Sequence, residues 1–126
     1  MNRGELWTVS GGVYAGKPRP ALIVQDDLFS ETESVVVIPL TTTAVADSVI
    51  ARVAVPTATG IAQPSFAMID KITAVRRSNL GTKIGRVHAA VPPSALLRRA
   101  SLNRRVPASL MVEIERSLMV FLGVVS

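Results

Sequence analysis

Three polar residues whose side chains suit acid–base or phosphate chemistry lie at the ends of apolar, strand-like segments. Arg19 comes just before the segment Ala21–Val24, Thr41 follows Leu40, and Asp70 ends another apolar run. An arginine can grip a phosphate through two hydrogen bonds, a threonine hydroxyl can stabilise an oxyanion, and a carboxylate can accept a proton. Side chains at strand ends could converge on one site, so the three form a candidate catalytic group.

Each of these residues also has a purely structural interpretation. Arg19 could pair with Asp26 or Asp27, the threonine run that begins at Thr41 could form a turn, and Asp70 could cap another turn. Taken one at a time, each residue favours the structural interpretation. The hypothesis of a site therefore depends on the three residues occurring together.

Composition excludes several classes of chemistry. The 126-residue chain has no cysteine, which excludes disulfides, a thiol nucleophile and a cysteine-ligated metal. Its single histidine, His88, excludes a metal site built from several histidines within one subunit. No nucleophile elbow, phosphate loop or dinucleotide fingerprint is present. Aromatic residues are only 4% of the chain, fewer than a stacking platform for single-stranded nucleic acid normally uses.

The charge is divided unevenly along the chain. Residues 1–70 carry four basic and seven acidic side chains, for a net charge of −3, while residues 71–126 carry ten basic and two acidic ones, for a net charge of +8. A basic half of this kind indicates a polyanionic partner, most commonly nucleic acid. The alternative is a solvated basic surface without a partner.

Hydropathy predicts no membrane segment. The stretch 117–126 lacks charge but is far shorter than the roughly 20 residues that span a bilayer. The first residues are charged at once and contain no apolar signal region. We therefore expect a cytoplasmic protein with no membrane partner.

The order of elements predicts one mainly β domain followed by a helix. A set of short, closely spaced strands predicts a small, strongly bent antiparallel sheet or barrel. Asp26–Ser30 and Thr57–Gly60 suit turns, and the loop after Glu5–Ser10 is expected to run from Gly11 to Pro18. The predicted strands are Glu5–Ser10, Ala21–Val24, Ser34–Leu40, Ala51–Val55, Ser65–Asp70, Ile72–Val75 and Lys83–Val87.

Near the end of the chain, the spacing of apolar residues changes from that of strands to that of a helix. Pro107 can begin a helix and Gly123 can end it. One helical face collects six apolar residues, while Val112 and Met119 lie on the other side. We expect the helix to pack on the core with one side and on a subunit or partner with the other. The six residues are Leu110, Met111, Ile114, Leu118, Phe121 and Leu122.

Several motifs occur in an order that resembles one known family over nearly the whole chain. The chain opens with Arg3–Trp7, and Arg19–Val24 and Val36–Thr42 then supply strand motifs. With the later motifs they resemble the MazF/PemK family of toxin endoribonucleases from bacterial toxin–antitoxin pairs. The later motifs are Gly60–Ile61, Pro64–Ser65, Asp70–Ile72, Leu80–Arg86 and Phe121–Gly123.

The resemblance implies both a fold and an activity. It implies an α+β fold that is mainly β, with an SH3-like antiparallel barrel of the MazF and CcdB type and a C-terminal helix. It also implies a homodimer that cuts single-stranded RNA without a metal or other cofactor, using the substrate's 2′-hydroxyl as nucleophile. A cognate antitoxin, MazE-like or other, would block the RNA site. DNA would be contacted only through the toxin–antitoxin complex.

The resemblance also assigns roles to individual residues. Arg19 and Thr41 match the family's active-site arginine and threonine, and Asp70 falls where PemK-like members carry a proposed general base. Two departures concern this base: Met68 replaces a nearby arginine, and the loop after the first strand offers only Tyr14 and Lys17. The residues expected to bind RNA are Lys17, Thr42, Lys71, Arg76, Arg77, Arg98 and Arg99.

Residues of about 88–105 are expected to form a basic insertion in a single domain spanning 1–126. The segment could extend the RNA groove, shape the antitoxin groove or remain an inert surface helix. Two rival functions also stay open: a CcdB-like toxin that poisons DNA gyrase without cutting RNA, and an inactive barrel that only binds an antitoxin. Arg19 and Thr41 in their matching places argue against the first rival.

Overall fold

The part of the chain that the structure describes contains seven antiparallel strands and one helix. The structure is a computed structural model, and it describes residues 2–11, 15–43, 52–87 and 110–124. Short 3-10 turns connect several of the strands. The elements are β1 (Glu5–Gly11), β2 (Ala15–Ile23), β3 (Ser34–Thr41), β4 (Arg52–Val55), β5 (Ser65–Met68), β6 (Thr73–Arg76), β7 (Leu80–Arg86) and α1 (Leu110–Leu122).

Strand β3 organises the sheet because it has partners on both edges. The strand order is β4-β5-β3-β2-β1-β7, and β6 also pairs with β3. On the edge away from β2, β6 pairs with residues 34–37 and β5 pairs with residues 40–41. Pro39 lies between these two pairings, and it has no N–H to donate to a neighbouring strand. The edge of β3 is therefore divided between two strands, with a gap at the proline.

Alternation along the strands produces two separate apolar clusters. Even-numbered residues such as Leu22 and Ile38 lie in the larger cluster, which also contains Met111 and Ile114 of α1. Odd-numbered residues of β2 and β3 such as Ala21 lie in the smaller cluster on the other face. Successive side chains of a strand point to opposite faces, so one step along β2 or β3 moves a side chain from one cluster to the other.

The structure confirms the predicted series of strands and shifts several of their ends, three of them by two or more residues. Strand β2 begins at Ala15, so the chain is already extended within the expected loop; the register between β1 and β2 is irregular here, which accommodates Pro18. Strand β5 ends at Met68, because Ile69–Lys71 turns as a 3-10 helix. Strand β7 begins at Leu80, earlier than expected.

The C-terminal helix packs on the barrel with only its first half. Met111 and Ile114 are buried, whereas Phe121 and Leu122, expected on the same packed face, are exposed. The predicted end at Gly123 is confirmed. This glycine has φ +77°, its N–H bonds the Val120 carbonyl at 3.1 Å, and the Val124 N–H bonds the Met119 carbonyl at 2.9 Å. This is the Schellman pattern of a glycine-capped helix.

Charged contacts of Arg3 and Glu5 connect the start of the chain to the rest of the domain. The Arg3 guanidinium donates to the Val24 carbonyl and pairs with Glu115 of α1. Buried Glu5 accepts hydrogen bonds from the Trp7 indole and the Asn2 amide, each at 2.9 Å, and lies 3.2 Å from Lys83 Nζ. Burial raises the pKa of Glu5, but these donors outweigh it and lower the pKa from 4.5 to about 2.

Within the described ranges, no helix is long and apolar enough to cross a membrane.

Candidate functional site

Arg19 and Thr41 lie two residues beyond the last paired residues of β2 and β3. Ala21 pairs with Pro39, and Leu22 pairs with Ile38. Continuing this antiparallel register by two residues brings Arg19 level with Thr41. Both side chains then lie on the face of the smaller apolar cluster, because they follow the odd-numbered positions. The two residues that the family resemblance assigns to catalysis therefore occupy corresponding positions just past the paired part of the two strands.

A cavity of about 360 Å³ opens beside Arg19, where the edge of β3 is divided between β5 and β6. We call it the Arg19 cavity. Pro39 and Leu40 contribute its β3 wall, and Lys71, just after β5, contributes a second cation. Pro39 has no N–H to donate at this edge, and the space lies where the pairing of β3 passes from β6 to β5. The other lining residues are Met68, Thr73, Ala74 and Val75.

The electrostatic character of the Arg19 cavity is cationic. Its described lining includes the guanidinium of Arg19 and the ammonium of Lys71 but no carboxylate. Both side chains are exposed, which leaves them accessible to a ligand. Two cations at the mouth of a partly apolar cavity suit an anion that carries an organic group, such as a phosphodiester.

Thr41 is half-buried at the end of β3 and is not a lining residue of the Arg19 cavity. Its Oγ1 accepts a hydrogen bond from the Thr43 N–H at 3.2 Å. This bond uses the oxygen as an acceptor and leaves the hydroxyl proton available as a donor. The local turn thus holds the hydroxyl in a position from which it can donate to an oxyanion.

Asp70 does not line the Arg19 cavity. Its Oδ1 lies 3.4 Å from Arg52 Nε, and the two side chains are only 13% and 17% exposed. Neither of these two atoms has a hydrogen-bond partner, so the contact is an ion pair without hydrogen-bond geometry. Arg52 also borders a groove formed with Glu113, Arg116 and Ser117 of α1. The turn Ile69–Lys71 therefore presents Lys71 to the Arg19 cavity and pairs Asp70 with β4.

The other residues predicted to bind RNA are dispersed. Lys17 is exposed on β2, and Arg76 is exposed on β6. Arg77 donates to the Thr32 carbonyl through Nε, and its Nη2 lies 3.4 Å from the Phe29 carbonyl oxygen. Its guanidinium therefore supports the loop before β3. Arg98 and Arg99, together with His88, Tyr14 and the rest of the expected insertion, lie outside the described residues.

Thr42 lines a second cavity, of about 450 Å³, on the opposite face of the sheet from Arg19. We call it the Thr42 cavity. Pro20 joins Thr42 there, as the alternation of both strands requires. The remaining lining residues are Gly60, Ile61, Ala62, Gln63, Ser65 and Ile84.

Sequence reasoning missed several residues of these cavities. Thr73 and Gln63 belong to no motif with a known chemistry, and they reach the cavities only through the pairing of distant strands. Arg52, the partner of Asp70, lines neither cavity and was not singled out by the sequence either. One signal was present in the sequence: Pro39 interrupts an otherwise continuous β-branched strand, and a proline at such a position indicates a break in pairing at a sheet edge. The position of that break marks the Arg19 cavity.

Comparison with known proteins gives a consistent result. Residues 2–96 match the family described as PemK-like, MazF-like toxin of type II toxin–antitoxin system. The chain is 40% identical over 127 aligned residues to a probable endoribonuclease MazF from Mycolicibacterium smegmatis, covering 98% of both chains. The resemblance predicted from the sequence motifs is thereby confirmed.

Solved structures support the same fold. An endoribonuclease in complex with its cognate antitoxin, from a mycobacterial species, matches with a TM-score of 0.70 at 22% identity, over 100% of this chain and 98% of that one. The MazF-mt6 toxin of Mycobacterium tuberculosis matches with a TM-score of 0.53 at 26% identity, over 79% and 90%. The MazE–MazF complex of Deinococcus radiodurans matches with a TM-score of 0.66 at 18% identity, over 98% and 96%. The predicted MazF-type fold, mainly β with a C-terminal helix, is confirmed.

Proposed function

Since the chain belongs to the PemK-like, MazF-like family of toxins from type II toxin–antitoxin systems, we propose that it is a metal-independent endoribonuclease that cuts single-stranded RNA at specific sequences. The observation that supports this most is the cationic cavity lined by Arg19 and Lys71, next to the end of β3 where Thr41 lies. A phosphodiester is the ligand that best suits this arrangement. We expect the protein to act in the cytoplasm.

The proposed reaction uses the substrate's own 2′-hydroxyl as nucleophile. Its oxygen forms a bond to the adjacent phosphorus while the bond from phosphorus to the 5′-oxygen breaks. The 2′ proton goes to a base, and the leaving 5′-oxygen receives a proton from an acid. The products are a 2′,3′-cyclic phosphate and a 5′-hydroxyl. DNA lacks the 2′-hydroxyl and is not cut.

Arg19 and Thr41 would stabilise the negative phosphorane. The guanidinium neutralises its charge and can deliver the proton to the leaving oxygen, and the Thr41 hydroxyl donates to a phosphate oxygen. Asp70 remains the candidate for the base. It pairs with Arg52 in the structure and would have to leave this partner to reach the 2′-hydroxyl.

One experiment tests the activity itself. The purified protein is incubated in a chelator with a pool of RNAs and with DNA of the same sequences, and the product ends are mapped. We expect RNA cut at one recurring short sequence, with cyclic phosphate ends, and intact DNA. If folded protein leaves a broad range of RNA sequences intact, the proposal fails. The alternative function, an inactive barrel that only binds an antitoxin, is then favoured.

Variants then test the site residues. Arg19→Ala and Thr41→Val should each lower kcat/KM by at least about 100-fold, because each removes a donor to the transition state. Normal cutting by both variants would overturn the assignment of the site. Asp70→Asn and Arg52→Gln are compared as a pair across pH. If Asp70 is the base, only Asp70→Asn removes the acidic limb of the pH–rate profile; equal effects of both variants would make the ion pair structural.

Two partner proposals follow from family membership. We propose a homodimer and a cognate antitoxin that covers the RNA site; DNA would be contacted only through the complex with this antitoxin. Several of the matching solved structures are complexes with an antitoxin, which supports this proposal. The gyrase-poison alternative receives no support, since the matching relatives are described as MazF toxins or endoribonucleases.

A further inference from the structure

The Thr42 cavity adjoins the proposed cleavage site through both central strands. Pro20 follows Arg19 directly within β2, and Thr42 follows Thr41, the last residue of β3. Adjacent residues of β2 point to opposite faces, so Arg19 faces the proposed cleavage site and Pro20 faces the Thr42 cavity. Each of the two proposed cleavage residues is thus followed directly in the chain by a lining residue of the Thr42 cavity.

The walls of the Thr42 cavity are held rigidly. Gly60 has φ +111°, and an added Cβ would lie 2.5 Å from the Ile84 carbonyl oxygen. An added Cβ at Gly85 would overlap the Thr59 carbonyl oxygen. These contacts show that the loop before β5 is packed directly on the backbone of β7. The cavity between them is formed before a ligand binds, which lowers the entropic cost of binding.

The lining combines apolar surfaces with a few polar groups. Pro20, Ile61 and Ile84 supply apolar walls, while Thr42 and Gln63 bring a hydroxyl and an amide. The Ser65 hydroxyl, which is buried, donates to the Gln63 carbonyl oxygen at 3.0 Å and so fixes the backbone of Gln63. Flat apolar walls with donors and acceptors at one side suit a nucleobase, whose faces are apolar and whose edges are polar.

We propose that the Thr42 cavity binds one nucleobase of the RNA, next to the scissile phosphate, and that Gln63 reads the edge of this base. The inference rests on the proposed endoribonuclease activity and adds a determinant of its sequence specificity. The amide of Gln63 both donates and accepts, which matches the paired donor and acceptor of adenine or of a Watson–Crick edge. The described lining of the cavity carries no charged residue, which suits a base better than a second phosphate.

The test compares cleavage of a randomised RNA library by the wild-type protein and by Gln63→Leu, Gln63→Glu and Ala62→Trp. At one position flanking the cut, Gln63→Leu should reduce base discrimination roughly 10- to 100-fold. Gln63→Glu removes the donor and should shift preference at that position toward a base that donates hydrogen bonds. Ala62 lines the cavity from an exposed position, and the tryptophan should block entry and lower kcat/KM for the preferred RNA.

Thr57→Ala provides the matched control, because Thr57 is exposed on the same loop but does not line the cavity. It should cut with the wild-type preference at every position. Equal thermal melting of all variants excludes unfolding as the cause of any change. Unchanged preference in the three cavity variants, or a uniform loss that spares the preference, overturns the proposed subsite while leaving the nuclease intact. If the wild-type protein cuts no RNA, the proposed function itself fails, and the subsite falls with it.

Discussion

A shift of one residue along β2 or β3 changes the side of the barrel that a side chain faces. Arg19 and Thr41 lie on the face of the smaller apolar cluster, and their neighbours Pro20 and Thr42 line a different cavity. The proposed division between phosphate chemistry and base recognition follows from this alternation. An insertion or deletion of a single residue in either strand would exchange the two faces.

Glu5 gives a prediction for the pH dependence of stability. The folded protein keeps this carboxyl ionised down to about pH 2, whereas its ordinary pKa is 4.5. The stabilisation, about 3 kcal/mol, is therefore complete above pH 4.5 and is lost as the pH falls toward 2. Glu5→Gln should remove this pH-dependent part of the free energy of unfolding, as measured by urea denaturation at pH 7 and pH 3.

The matched control for Glu5 is Glu31→Gln, which changes an exposed carboxyl. This variant should keep the loss of stability between pH 4.5 and pH 3 that the wild-type protein shows. If Glu5→Gln and the wild-type protein lose stability equally over this interval, the donors around Glu5 do not lower its pKa.

At the level of elements, β3 determines where the candidate site lies. It pairs with β2 on one edge and with both β5 and β6 on the other, and Pro39 separates the last two. The turn Ile69–Lys71 must cross this gap, and it brings Lys71 to the Arg19 cavity as it does so. A single proline thus opens the sheet at the point where the proposed substrate binds.

Variants of two glycines should show how much close packing between elements contributes to the stability of the fold. Gly85 lies against the Thr59 carbonyl, so Gly85→Ala must displace the backbone of the loop before β5. Gly123 has no atom near its added Cβ, and only its φ of +77° opposes a side chain. We expect Gly123→Ala to cost about 1 kcal/mol and Gly85→Ala to cost several times more, as measured by thermal and urea unfolding.

The comparison between the two glycine variants is itself the control, because both make the same chemical change. Equal destabilisation would show that the contact between the loop and β7 relaxes easily. The Thr42 cavity would then not be preformed, and its proposed affinity for a base would have to come from other contacts.

At the scale of the whole molecule, most of the exposed large apolar side chains among the described residues lie at the end of α1. The helix buries Met111 and Ile114 against the barrel, but beyond Leu118 its side chains are exposed. A contiguous exposed apolar patch of this kind commonly marks an interface. The exposed members are Met119, Val120, Phe121, Leu122 and Val124.

We expect this patch to take part in the proposed homodimer. Phe121→Asp combined with Leu122→Lys should shift the protein toward the monomer, because charged groups in a buried contact are costly. The folded monomer should melt nearly as before, since both residues are exposed in it. Analytical ultracentrifugation over a range of concentrations measures the shift.

Leu28→Asp is the control for surface hydrophobicity, since Leu28 is exposed but lies on the 3-10 turn before β3. It should leave the association unchanged. A helix-end double variant that dimerises as the wild-type protein does would place the dimer contact elsewhere.

The sequence by itself determined the family, the series of strands and the end of the helix. Strand periodicity, ordered motifs and the glycine at 123 are local properties, and the chain carries them directly. Tertiary structure alone decided which cavity each polar residue joins. It paired Asp70 with Arg52, directed Arg77 to the loop before β3 and left Phe121 exposed. These outcomes depend on the register of distant strands and on which surfaces pack together, and such long-range pairing is not written in any local pattern.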